Sequence, residues 1–360
     1  MKKKLVAVAV AGVLGVPLAA HAQTANVTLY GRVNLDLEVM SGKQADGSNP
    51  NVLRLSSNTS RFGLKGVESL GGGLNAIFQI ESGVSADAGG GVLAGRETFA
   101  GLQGSWGTVK AGNFLNTTDD LHAIFGSTPT LLTGIFSTAN LWAQGPQART
   151  NGGFDTRDGN SLRYDSPSYN GLTYSVQGST MENAIHAYIL GANVIYTNGP
   201  IQLGAAYGSN QKVRGIGLND RDYTLTGGYN FGPVRVAGVY EYTKYETSSG
   251  DLTRNFYGIS GIIPAGPGQI YAFYGHAGDG KGSASDATAR IGALAHGSNT
   301  GANVWELTYT YSLSKRTAIY GGYTRIDNKS NANYSFNINP YAVTPGGNPS
   351  GLVLGMYHLF

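Results

Sequence analysis

The strongest constraint in this 360-residue chain is a side-chain alternation of period two that returns from residue 27 to the carboxyl end. Val27, Leu29, Gly31, Val33, Leu35, Leu37 and Val39 occupy one parity, and Thr28, Tyr30, Arg32, Asn34, Asp36 and Glu38 the other. Successive side chains of a strand point to opposite faces, so this segment is a long strand with one apolar and one polar face. Tyr223, Leu225, Gly227 and Tyr229 alternate in the same way with Asp222, Thr224 and Thr226. So do Trp305, Leu307, Tyr309 and Tyr311 with Glu306, Thr308 and Thr310, and Leu352, Leu354 and Met356 lead to Phe360. Aromatic residues near the ends of the apolar faces suit strands that cross a bilayer, because their rings settle at the headgroup level.

The connections alternate between short and long. Compact turn signals rich in Gly, Pro, Asn and Ser fall at 68–73, 104–107, 165–171, 197–200, 230–233, 264–268 and 312–317. Longer polar segments fall near 41–50, 84–95, 114–160, 179–186, 209–219, 244–254, 277–301 and 327–350. Seven turns and eight loops predict sixteen strands, although 277–301 could hide a further strand pair at Ile291 and Leu294. In hydrocarbon no sheet edge can be left unpaired, so the strands must close into a ring. Sixteen strands enclose an aqueous channel, whereas about eight enclose packed side chains. The expected fold is therefore an all-β, 16-stranded antiparallel transmembrane barrel with short periplasmic turns and long external loops.

Composition and the first residues agree with that class. Charged residues are 13% of the chain, about half the usual share, and Gly numbers 55. With no Cys there is neither a disulfide framework nor a thiolate metal centre. Lys2, Lys3 and Lys4 precede an apolar run from Leu5 to Ala20, and Ala20-His21-Ala22 fits a signal-peptidase site. The expected organisation is a cleaved signal peptide at 1–22 and one barrel domain at 23–360, located in the cell outer membrane. Removal of that segment leaves basic and acidic side chains equal in number, which gives no reason to expect nucleic acid. His122, His186, His276, His296 and His358 are scattered and accompany no nucleophile, zinc or phosphate-loop motif. Asp155-Thr156-Arg157-Asp158-Gly159-Asn160 lacks the spacing and final Glu of a calcium loop. No enzyme activity, cofactor or metal is expected.

Several strings resemble the general trimeric Gram-negative porin family of β-proteobacteria and Neisseria. They are Val27-Thr28-Leu29-Tyr30-Gly31, Ser60-Arg61-Phe62-Gly63-Leu64-Lys65-Gly66 and Gly72-Gly73-Leu74-Asn75-Ala76-Ile77-Phe78-Gln79-Ile80-Glu81. Arg163-Tyr164-Asp165-Ser166-Pro167, Tyr311-Ser312-Leu313-Ser314-Lys315-Arg316-Thr317 and the terminal His358-Leu359-Phe360 continue the series. The resemblance spans 27–360 and implies a homotrimeric barrel, surrounded by outer-membrane lipid and lipopolysaccharide, that passes ions and small hydrophilic solutes passively. It also implies that Phe360 belongs to the signal read by the outer-membrane assembly machinery. Tyr357 and Leu359 depart from the polar or basic residues frequent there among relatives.

The long segment 113–161 follows the fifth strand, and the resemblance implies a loop that folds inward and narrows the channel. Leu131-Leu132 and Ile135-Phe136 are its candidate anchors, and it carries Asp119, Asp120, Asp155, Asp158, Arg149 and Arg157. Strand parity places Arg32, Arg61, Lys65 and Arg163 on the channel face, with Lys110 and Arg96 as further candidates. Such a basic wall facing Asp119 and Asp120 predicts mild anion preference. The Gly-rich loop Gly83–Gly95 is the candidate contact between subunits, again from the resemblance. The competing expectation is a substrate-specific channel for sugars or small organic ions, which needs an inward track of aromatic rings.

Overall fold

The computed structural model describes residues 26–44, 46–125, 134–142, 151–183, 185–285 and 289–360. The expected signal segment 1–22, together with Leu131, Leu132 and Arg149, lies outside the described residues. The barrel begins with β1 (Asn26–Lys43), β2 in two pieces (Asn51–Ser57 and Arg61–Gly71), β3 (Leu74–Val84), β4 (Thr98–Gly104) and β5 (Gly107–Leu115). After the long insertion come β6 (Arg157–Asp165), β7 (Leu172–Thr180), β8 (Tyr188–Asn198), β9 (Ile201–Gln211) and β10 (Asn219–Asn230). The remainder are β11 (Arg235–Thr247), β12 (Gly250–Ala265), β13 (Gly268–Ala277), β14 (Ala302–Ser312), β15 (Thr317–Asn328) and β16 (Asn348–Leu359). Each pairs antiparallel with its neighbours in sequence, and β16 closes the ring on β1 from Arg32↔Leu359 to Lys43↔Asn348.

All seven expected turns join strands at one end of the barrel, and the eight longer connections lie at the other. Three details differ from the sequence reading. Both pieces of β2 pair with β1, but the strand breaks at residues 58–60, where Thr59 adopts a left-handed φ of 54°. The expected loop at 244–254 contracts, because pairing of β11 with β12 runs to Thr247↔Gly250. Ile291 and Leu294 do pair, in a two-rung hairpin separate from the barrel sheet, so the strand count stays at sixteen.

The alternation read from sequence becomes the two faces of the wall. Leu29, Leu37, Val39, Leu225, Leu307, Leu352 and Leu354 are exposed outward, while Asn34, Asp36, Glu38, Thr224, Glu306 and Thr308 are buried inside. Among the described residues no helix is long and apolar enough to cross a membrane. The strands do so, each satisfying its backbone groups on its neighbours.

The closing seam depends on one glycine. The Gly31 amide donates to the Phe360 carbonyl at 3.0 Å, and the Phe360 amide returns a bond to the Gly31 carbonyl at 3.1 Å. A Cβ on Gly31 would stand 2.2 Å from the Phe360 ring and 2.8 Å from the Arg61 carbonyl. Gly31→Val is therefore expected to eject the terminal ring and cost about 1–3 kcal/mol, as overpacked sites do. Denaturant titration of the barrel in detergent would detect this, and an unchanged midpoint would refute the packing role assigned to Gly31.

Candidate functional site

After Leu115 the chain leaves the wall, and the described residues 116–125, 134–142 and 151–156 lie inside the barrel. Short 3₁₀ turns form at Asp119–Phe125, Gly134–Phe136 and Thr138–Asn140. Leu121, Phe125, Ile135, Phe136, Leu141 and Trp142 are buried in one cluster with wall residues Phe256, Tyr271 and Phe273. The Phe125 ring meets Phe273 edge-on at 6.0 Å and lies 5.4 Å from Trp142. Ile135 and Phe136 are both fully buried in this cluster.

The wall admits this loop through small residues and polar arms. Inward-facing Gly191, Gly204, Gly208 and Gly228 leave room for Asn116 and Thr117, Leu121 and Ile124, Phe154, and Ile124 respectively. At Gly191 an added Cβ would fall 2.5 Å from both the Asn116 and Thr117 side chains. Asn193 Nδ2 donates to the Thr117 carbonyl and to Asp120 Oδ2, both at 2.7 Å. Arg163 Nη2 donates to Asp120 Oδ2 at 2.5 Å, and its Nε to Asp165 Oδ1 at 2.7 Å. Arg235 reaches the Ile124 carbonyl, and Arg254 Nη2 donates to the Leu141 carbonyl at 2.8 Å.

Opposite these anchors lies a cavity of about 580 Å³, lined by Arg32, Arg61, Arg96 and Arg157 and by Glu81, Glu97, Asp119 and Asp155. Glu81 is shared, with Arg96 Nε at 2.6 Å and Arg61 Nε at 3.3 Å. Arg157 Nε stands 3.3 Å from Glu97. Arg32 differs, because its Nη2 donates to the carbonyls of Asn58 at 3.4 Å and Thr59 at 3.3 Å and to the Thr59 hydroxyl. The break in β2 supplies these oxygens. Among the described residues no carboxylate is in hydrogen-bond contact with Arg32, so its charge is left less compensated than that of its neighbours.

The loop acids differ from one another. Burial, reinforced by neighbouring Asp155 and Asp120 and opposed by His122 and Arg157, pushes the Asp119 carboxyl up to about 7. His122 Nε2 contacts Asp155 Oδ2, Nδ1 lies 3.3 Å from Thr138 Oγ1, and the ring stacks on Trp142 at 3.7 Å. Burial favours the neutral ring, but the Asp155 carboxylate outweighs it and His122 titrates above its ordinary value. Asp119, His122 and Asp155 offer metal-type atoms within 4.8 Å of one another. Both ring nitrogens are engaged within the protein, which makes the group an ion-pair cluster that ties the two ends of the loop together.

Of the residues expected at the constriction, Arg32, Arg61 and Asp119 meet at the cavity, with Arg96 and Arg157 beside them. Arg163 and Asp120 do not face each other across open water; they pair directly and fasten the loop. Lys110 lies 3.2 Å from Asp165 and within 5.2 Å of the Phe99 and Phe114 ring centres. Lys65 pairs across to Thr28 and Gln79, nearer the short-turn end, with Nζ 5.3 Å from the Tyr30 ring centre. Neither lysine lines the cavity, because parity sets the face of a side chain and not its height. The anchors Arg235 and Arg254 escaped the sequence reading, although inward glycines on three successive strands were a legible sign of close loop approach.

Comparison with known proteins adds five findings. A family model described as Gram-negative porin matches residues 6–331. Outer membrane porin protein 32 of Delftia acidovorans is 31% identical over the whole of both chains. An outer membrane porin protein of Bordetella pertussis is 30% identical, covering 90% of this chain and 94% of its own. Among solved structures, an anion-selective porin from Comamonas acidovorans superposes with a TM-score of 0.74 at 28% identity, over 94% of this chain and all of that one. Vibrio cholerae OmpT, in a structure described as its trimer form, shares the fold with a TM-score of 0.66 at 14% identity, over 94% of this chain and all of that one.

The anchoring geometry has a direct test. Arg254 and Glu241 are fully buried and 3.1 Å apart. Arg254→Met removes the guanidinium from the buried Glu241 carboxylate and is expected to destabilise the barrel by about 3–5 kcal/mol. Arg254→Met combined with Glu241→Gln is expected to recover most of that loss in the same denaturant titration; equal losses in both variants would show that the charge pair is not what matters.

Proposed function

The chain belongs to the Gram-negative porin family, and from that premise we propose that its constriction passes small hydrophilic solutes with a bias toward anions. The protein is a passive diffusion channel of the outer membrane and not an enzyme. The observation that carries the bias is the state of the charges at the cavity. Four arginines line it against four carboxylates. Asp155 is compensated by His122, and Asp119, titrating at about 7, is largely neutral on the acid side of neutrality. Glu81 and Glu97 then face Arg32, Arg61, Arg96 and Arg157. The anion-selective description of the Comamonas acidovorans porin supports the same sign. For a sugar-selective channel the cavity lining offers no aromatic ring among the described residues.

The same reading covers assembly. Outward-facing aromatic pairs ring the loop side of β9 to β14, as Tyr207–Tyr223, Tyr240–Tyr257 and Tyr274–Trp305. Across the seam, Leu352, Val39 and Leu53 form one aliphatic row of β16, β1 and β2, and Ala100 and Ala111 of β4 and β5 lie in a row whose one aromatic is Phe78 of β3. A face that meets another subunit has no use for a headgroup belt, which favours contact between copies there. Loop Gly83–Gly95 projects beside this face with Leu93 81% exposed, as a subunit contact would require. Phe360 retains its proposed role as an assembly signal, used before its ring settles on Gly31.

Raising the pH from about 6 to about 8 should ionise Asp119 and weaken the anion preference. Asp119→Asn should hold the preference at its acid-side value, and Arg32→Gln should reduce it more than Arg61→Gln, whose charge already shares Glu81. Reversal potentials in a salt gradient read all three; a cation-selective wild type would overturn the proposal. Conductance should appear in groups of three equal steps, and solitary steps from purified protein would contradict the trimer.

A further inference from the structure

Arg32 is held at the cavity by two carbonyls that no regular rung of the sheet fixes. Pairing of β2 with β1 stops at Leu35↔Ser57 and resumes at Arg32↔Arg61, so Val33 and Asn34 stand against Asn58, Thr59 and Ser60. Within this break the β-branched Thr59 takes a φ of 54°. Such a residue keeps a left-handed conformation only where its surroundings over-determine it. Those surroundings are supplied by its neighbour Asn58, which is fully buried.

Asn58 is met from several elements at once. Its amide donates to the Asn34 carbonyl of β1 at 2.9 Å. Its side-chain Nδ2 lies 3.5 Å from the Tyr320 hydroxyl of β15, which donates to Asn34 Oδ1 at 2.7 Å. Its Oδ1 accepts from Asn339 Nδ2 at 2.8 Å. A Cβ on Gly134, in the inserted loop, would stand 2.9 Å from that same oxygen. Asn339 belongs to the connection between β15 and β16, which packs back into the barrel. Tyr334 and Phe336 of that connection are buried in the cluster that holds the inserted loop. The Asn337 amide donates to Asn140 Oδ1 at 2.8 Å, and Arg54 Nη2 donates to the Asn339 carbonyl at 2.5 Å. Asn337 and Ile338 line the cavity. The Asn58 side chain therefore touches both loops that border the cavity, while its carbonyl lies 3.4 Å from Arg32 Nη2.

We propose that Asn58 is a positioning residue of the channel: its side-chain amide, docked on Asn339 and Tyr320, fixes the carbonyls of residues 58 and 59 and through them the direction of the Arg32 charge. Without that amide Thr59 is released from the left-handed region, and the Arg32 guanidinium turns from carbonyl dipoles toward a carboxylate of the cavity. The seating of the last connection thereby governs ion preference through the uncharged Asn339. The inference rests on the anion bias proposed above, because Arg32 is the group through which it is read.

The test is a double-mutant cycle of Asn58→Ala and Arg32→Gln, read as reversal potentials in a salt gradient. Asn58→Ala should lose about half or more of the anion preference that Arg32→Gln loses, and should lose nothing further where Arg32 is already Gln. Asn339→Gly keeps a residue that tolerates the left-handed φ of 55° at that position while deleting the amide. It should give a smaller loss of the same sign, again abolished by Arg32→Gln, and it decides the matter if Asn58→Ala does not fold. Heat-modifiable gel mobility and the denaturant midpoint identify the folded variants. Equal shifts with and without Arg32, or no shift in the folded variants, would overturn the positioning role. No shift from Arg32→Gln alone would overturn the anion reading and this inference with it, whereas a shift from Arg32→Gln without coupling would overturn the positioning role only.

Discussion

Every backbone N–H and C=O at membrane depth must find its hydrogen-bond partner inside this chain, because hydrocarbon offers none. All else in the molecule follows from that requirement. It forces β16 onto β1, and it makes the seam at Gly31 and Phe360 a condition of the barrel instead of a local detail. Once the ring is closed, each strand has a lipid face and a water face. The period-two alternation of Val27 to Val39 is then the direct imprint of two solvents on one strand.

Closure creates a second problem. Sixteen strands leave an opening, and a segment that enters it must pack apolar residues against a wall that is polar. Leu121, Phe125, Ile135, Phe136 and Trp142 achieve this where the wall is locally apolar or bare, against Phe273, Tyr271 and the inward glycines. Where it is polar, Asn193, Arg163, Arg235 and Arg254 reach out to carbonyls and to Asp120. The inner arginines thus fall into two groups. Arg163, Arg235 and Arg254 spend their hydrogen bonds in holding the loop, and Arg32, Arg61, Arg96 and Arg157 present their charge to the cavity.

Much of the barrel was legible because its signals are local. Gly199-Pro200 and Gly232-Pro233 mark turns whatever the rest of the chain does, and alternation identifies a face within a few residues. What stayed hidden depends on contacts distant in sequence. Nothing in Asn58-Thr59-Ser60 announces that β2 breaks there, because the break is stabilised by Asn34 and Arg32 on another strand. Arg32 and Arg163 look alike by parity, yet one ends on carbonyls at the cavity and the other on two carboxylates in the wall. Lys65 and Lys110 have the expected face at another height, which no periodicity encodes.

The proposed anion bias therefore does not require a basic protein. Basic and acidic side chains are equal in number once the expected signal segment is set aside, and the cavity itself holds as many carboxylates as arginines. A permeating ion responds to the charge left after local pairing, not to the sum. Arg61 and Arg96 share one carboxylate, Arg32 is held by carbonyl dipoles, Asp155 is tied to His122, and desolvation beside Asp155 holds the Asp119 carboxyl well above the usual carboxylate range. Carbonyl dipoles orient a guanidinium without cancelling its charge, whereas a carboxylate does both. The break in β2 is in this sense an electrostatic device: it exchanges two rungs of strand pairing for a cation held in place and still visible to the channel.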